Sequence, residues 1–151
     1  MRRGLDRGWL LAIDYALTAD RLYAPWRDGG TLLAVQDQRA GADLLRDPGR
    51  QDLTAHVCLD AMALAAGRSG WHWHGSALQG EALLGLGLAG ELSALSGAEA
   101  GSLATRLQRR EELLRLVDPH LLGGFHWMLL QTEPAEALAG KAIRIWPGWS
   151  A

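Results

Sequence analysis

The sequence contains a single cysteine, Cys58, so no internal disulfide forms and a cysteine-based zinc site is excluded. It lacks any run of about 18 apolar residues, the length a membrane-spanning helix requires. It also lacks an excess of positive charge, with 15 basic and 17 acidic residues and a formal charge of −2. Nucleic acid and anionic membranes are therefore not indicated as partners. The N-terminus passes from Arg2, Arg3 and Arg7 into a short apolar run that ends at Asp14-Tyr15 rather than at a small-residue cleavage site. That run reads as a buried strand rather than a signal peptide, and the expected location is the cytoplasm. At 151 residues the chain is long enough for one domain with its own core.

Hydrophobic patterning predicts alternating strands and helices. Trp9-Leu10-Leu11-Ala12-Ile13 is a continuous apolar run of the kind expected in a strand covered on both faces. From Ala24 to Gln51 the chain is rich in Gly, Asp, Arg and Pro, with turn signals at Asp28-Gly29-Gly30 and Asp47-Pro48-Gly49. So long a connection suggests an ordered excursion with a binding role. Val57, Cys58, Ala61, Leu64 and Ala65 then follow one helical face, with Asp52 or Thr54 as candidate caps. Trp71-His72-Trp73-His74 alternates as a strand, with the tryptophans on one face and the histidines on the other. Helices are predicted over 79–95 and 102–117, the second stopped by Asp118-Pro119. Phe125 to Leu130 is apolar on both alternating faces, again the pattern of a buried strand. Three strands make a thin sheet for α/β layering.

Several short motifs have plain explanations. Gly85-Leu86-Gly87-Leu88-Ala89-Gly90 spells a dinucleotide fingerprint, but that motif works between a strand and a helix N-terminus. Here it falls within a leucine-periodic helix, where glycines allow close packing. His72 and His74 form an H-x-H pair without a third ligand at suitable spacing, so no metal site is assigned. Cys58, on the predicted apolar helix face, reads as a buried thiol. Asp14 and Tyr15 are more informative, because ligands in open α/β sheets gather at the carboxyl ends of strands.

Taken in order, Gly8 to Tyr15, Arg27-Asp28-Gly29-Gly30-Thr31-Leu32, Asp47 to Val57, Gly70-Trp71 and Gln79 to Gly87 resemble the MidA family of class I S-adenosylmethionine-dependent protein methyltransferases. That family includes a mitochondrial factor for assembly of respiratory complex I. The likeness spans residues 7 to 132, with Ala16 where the family usually has glycine and no aromatic near Leu59. It implies the C-terminal half of a Rossmann-like methyltransferase fold over 1–132: strands five to seven with covering helices, the last strand antiparallel, a substrate-side loop at 27–56 and a tail at 133–151.

The resemblance also implies methyl transfer from S-adenosyl-L-methionine to an arginine nitrogen of a protein substrate. Asp14, Tyr15 and Asp52 are the expected catalytic residues, the two carboxylates orienting a cationic guanidinium. Arg27, Gly30, Thr31, Thr54, His56 and Gln79 are the expected substrate-binding residues. The residues that bind the cofactor are expected in a preceding half, so the cofactor belongs to the full-length enzyme and this chain alone is expected to be inactive. Partners implied are the protein substrate, the missing half, or a second copy joined through an exposed sheet edge. The alternatives are a non-catalytic interaction module derived from such an enzyme, or a gene fragment without activity of its own.

Overall fold

The computed structural model describes residues 5–37, 39–41, 43–97 and 101–133. The expected tail, with Trp146-Pro147-Gly148-Trp149, lies outside the described residues apart from Glu133. The chain forms two compact units, one from the residues before Asp14 and after Ala65, the other from Asp14–Ala65. Both mix strands and helices, as α/β layering predicts.

The first unit is built on a three-stranded sheet in the order β1 (Trp9–Asp14), β8 (His126–Gln131), β7 (His72–Leu78). β7 and β8 run antiparallel, with Leu78 opposite His126 and His72 opposite Gln131. β8 is central, and its apolar residues fill the core: Met128 is fully buried, and Leu129 and Leu130 are nearly so. Ala66, Trp71 and Leu130 form a cluster against which Leu5, Leu10 and Trp73 pack. Each fully buried aliphatic side chain of this kind contributes about 1.5–3 kcal/mol. At the sheet margin Gly8 N–H donates to Thr132 Oγ1 at 3.0 Å, Thr132 N–H returns a bond to Gly8 O at 3.1 Å, and Arg7 pairs with Glu133 at 2.9 Å.

Three expectations change here. β1 is not covered on both faces: Leu11 and Ile13 are 44% and 47% exposed, because β1 is an edge strand and no further strand lies beyond it among the described residues. The strict alternation of tryptophan and histidine in β7 breaks at a bulge between Trp73 and Gly75, which adds one residue, His74, to that side of the ladder. There His74 meets Trp9 edge-on, with ring centroids 5.3 Å apart. The helix predicted over 79–95 is not continuous. It divides into α3 (Gln79–Leu83), a π-helical turn over Leu84–Leu88 and α4 (Ala89–Ala94), since Gly87 sits at φ 105°. A Cβ at Gly87 or Gly90 would meet nothing within 4 Å, so these glycines do not serve close packing. That role falls to Gly80, where a Cβ would stand 2.6 Å from Val117 O, and to Gly123, where it would overlap the same carbonyl.

α5 (Leu103–Val117) matches its predicted span and is capped by Ser102, whose Oγ accepts from Thr105 N–H at 3.2 Å. Among the described residues no helix is long and apolar enough to cross a membrane.

In the second unit, β2 (Ala16–Leu17) pairs in parallel with β6 (Val57–Cys58), Ala16 opposite Val57. The predicted helical face therefore begins too early. Val57 and Cys58 are strand residues, and α2 is Leu59–Arg68. Asp52 and Thr54 do not cap it, because they lie in β5 (Asp52–Thr54). The long connection is itself a small antiparallel sheet in the order β4 (Arg39–Gly41), β3 (Leu33–Gln36), β5. A short helix α1 (Ala19–Leu22) precedes it, its first N–H donating to Asp60 Oδ2 at 2.6 Å.

Candidate functional site

The parallel pairing of β2 with β6 determines where the polar side chains of the second unit meet. Val57 N–H donates to Tyr15 O at 2.7 Å, which places the residue before each short strand beside the other. The Tyr15 and His56 rings consequently stand 5.9 Å apart between centroids, inclined by 50°. His56 is held from a second direction by Thr31, whose Oγ1 accepts the His56 backbone N–H at 3.0 Å. Asp14 precedes this pair, and its Oδ1 accepts the Tyr15 N–H at 2.7 Å.

Arg27 comes from the 3-10 turn Pro25–Arg27, with its Nε donating to Arg21 O at 3.1 Å. Gly30 N–H donates to Arg27 O at 2.9 Å, closing a turn in which Gly30 adopts φ 73°, a left-handed value that glycine tolerates without strain. Between these segments opens a groove of about 510 Å³, with Tyr23, Pro25, Arg27, Asp28, Thr31 and His56 among its lining residues. Burial lowers the His56 pKa below its ordinary 6.5, the Arg27 guanidinium lowers it further, and Asp14 opposes both. His56 is thus a neutral imidazole at neutral pH, able to accept a hydrogen bond or a proton.

Of the site residues expected from sequence, Asp14, Tyr15, Arg27, Gly30, Thr31 and His56 come together. Arg27, Gly30, Thr31 and His56 line the groove itself, while Asp14 acts on the charge of His56 and the Tyr15 ring stands tilted beside it. Asp52 and Thr54 do not line it. They sit on β5, paired with Val35 and Leu33 of β3, Asp52 exposed and Thr54 half-buried. Gln79 belongs to the first unit, where both ends of its amide are occupied. Its Nε2 donates to Leu116 O at 3.2 Å, and its Oε1 accepts from Trp127 Nε1 at 3.1 Å. Such a clamp between α5 and β8 is a structural task. Sequence reading missed Tyr23 and Asp28 as groove residues, although the Tyr-x-Pro spacing of Tyr23 and Pro25 ahead of the Asp-Gly turn was a visible signal.

Residues 1–77 match the sequence profile of a family described as "Putative S-adenosyl-L-methionine-dependent methyltransferase". No curated protein matches the chain. Among solved structures, an uncharacterized protein from Burkholderia thailandensis superposes with a TM-score of 0.73 at 27% identity, over 82% of this chain and 33% of that one. A second structure from the same organism and superfamily, described as a "likely methyl transferase" and bound to S-adenosyl-homocysteine, gives a TM-score of 0.69 at 27% identity, over 82% of this chain and 31% of its own. The chain thus spans about a third of the length of the solved structures it matches.

Proposed function

The chain belongs to the S-adenosyl-L-methionine-dependent methyltransferase family whose profile it matches, and from that membership we propose that it is the C-terminal, substrate-facing portion of a MidA-type protein methyltransferase acting on arginine. The observation that carries this reading is β1. An apolar strand at a sheet edge, with Leu11 and Ile13 about half exposed, is what remains when a neighbouring strand and its covering layer are supplied by another stretch of polypeptide. Solved relatives about three times as long are consistent with that supply.

The described residues do not by themselves fit S-adenosyl-L-methionine. The glycine-rich string 85–90 runs through the π turn and into α4, not between a strand and a helix, and open space surrounds Gly87 and Gly90. The cofactor-holding residues are accordingly assigned to the remainder of the longer enzyme. What this chain contributes is the substrate side.

Asp14 offers an exposed carboxylate to a cationic guanidinium, and Asp52 offers another on β5. Neutral His56, beside Tyr15 and fixed by Thr31, is placed to accept the proton that an arginine nitrogen sheds on alkylation. Gly30 and Thr31 shape the surrounding backbone, and Thr54 on β5 precedes His56 by two residues. A full-length relative carrying these residues, supplied with radiolabelled S-adenosyl-L-methionine and cellular protein, is expected to yield methylarginine on acid hydrolysis. Asp14→Asn and Asp52→Asn should each abolish that product with thermal unfolding nearly unchanged. Label recovered in methyllysine, or full turnover by both variants, would contradict the assignment.

A further inference from the structure

The groove at Arg27 carries a charge arrangement that an arginine acceptor alone does not explain. Arg27 is half-buried, and its Nε is tied to the Arg21 carbonyl at the end of α1, which fixes the plane of the guanidinium. Among the described residues no carboxylate lies within ion-pair distance of it. Asp28, the carboxylate next to it in the groove wall, is turned to its own backbone, with Oδ1 accepting the Gly29 N–H at 2.9 Å. A tethered guanidinium whose terminal N–H groups have no partner among the described residues is a preorganised fork for a planar anion, and it repels a second guanidinium.

A complementary charge, Asp14, also acts on His56. Asp14 and Arg27 are both near enough to act on that imidazole, in opposite directions because their charges are opposite, so the unit brings an anion and a cation to the neighbourhood of one ring. A cationic acceptor is drawn toward Asp14 and away from Arg27. Tyr23, 74% exposed and on the groove wall, adds an aromatic surface against which a peptide backbone can lie.

We infer that the groove at Arg27 takes the carboxylate of an acidic side chain of the protein substrate, an aspartate or glutamate close in sequence to the residue that receives the methyl group. The inference rests on the reading of the substrate as a protein. It makes Arg27 a specificity determinant, and it predicts that acceptor sites lie in mixed-charge rather than purely basic segments.

The test uses the 151-residue chain labelled with nitrogen-15. It is titrated at low salt with the blocked peptide Gly-Asp-Gly-Arg-Gly, with its Asn counterpart and with S-adenosyl-homocysteine. The Asp peptide should shift the Arg27 Nε–H and His56 resonances and bind at least about threefold tighter than the Asn peptide, the scale of one partly exposed ion pair. The preference should disappear at high salt and in Arg27→Gln, and survive in part in Arg27→Lys, whose retained charge also guards against a folding artefact. Equal binding of both peptides would overturn the inference and leave the protein-substrate reading intact. Binding of neither would count against both. Occupation of the groove by S-adenosyl-homocysteine would assign the guanidinium to the cofactor's carboxylate and overturn the inference.

Discussion

β1 and β8 are neighbours in one sheet, six residues each, and both are dominated by apolar side chains, yet they occupy opposite environments. In β8 the four residues from Met128 to Gln131 are all buried, Gln131 included. In β1 none is fully buried, and Leu11 and Ile13 lie about half in solvent. Composition does not separate the two. Position does, since a central strand has partners on both sides while an edge strand depends on whatever comes to cover it.

The largest expected effect is on the buried side of this comparison. Met128→Ala removes a fully buried side chain from the middle of the sheet and should cost about 2–5 kcal/mol in urea unfolding. Leu11→Ala should cost about 1 kcal/mol in the same chain, because nearly half of its surface is already hydrated. In a full-length relative the difference should narrow, with the residue at the Leu11 position costing as much as a core leucine. Equal losses for Met128 and Leu11 in the 151-residue chain would dissolve the distinction between the strands.

This comparison also shows what is legible in the sequence. The apolar run of β8 and the span and stop of α5 are local patterns, and they are read correctly from period and from Asp118-Pro119. The exposure of β1 is not local, since an apolar strand looks the same whether or not its neighbour is present. Val57 and Cys58 fit a helical face by spacing but are taken by β2, a partner about 40 residues earlier in the chain. The stretch from Ala24 to Gln51 reads as a loop because its glycines and prolines mark turns, and the short strands between those turns acquire their ladder only from one another.

At the site, the cluster of Asp14, Tyr15, Thr31 and His56 follows from the motif residues, and the β2–β6 pairing assembles it. The placement of Asp52 on β5 and the structural clamp made by Gln79 follow from pairings that sequence spacing does not encode.

A smaller effect compares the two units through their histidines. Burial lowers the pKa of His74, beside Trp9 in the first unit, and burial with Arg27 lowers that of His56 in the second. A histidine with a depressed folded pKa binds more protons unfolded than folded, so stability falls as pH drops below its ordinary 6.5 and levels off below the folded value. Thermal midpoints measured from pH 7.5 to 5 should decline. His56→Gln should flatten part of that decline and His74→Gln another part. Arg27→Gln should raise the His56 pKa in a proton NMR titration without moving that of His74. Identical pH slopes in all variants would show that neither imidazole senses its surroundings as described.

The proposed division of labour between this chain and the rest of a longer methyltransferase is tested most directly by isothermal calorimetry of S-adenosyl-L-methionine into the 151-residue chain. If this chain supplies only the acceptor side, as proposed, no binding heat should be measurable, because the described residues hold no glycine-rich strand-to-helix turn for the cofactor. Saturable binding at micromolar concentration would place a cofactor site within this chain and contradict the account.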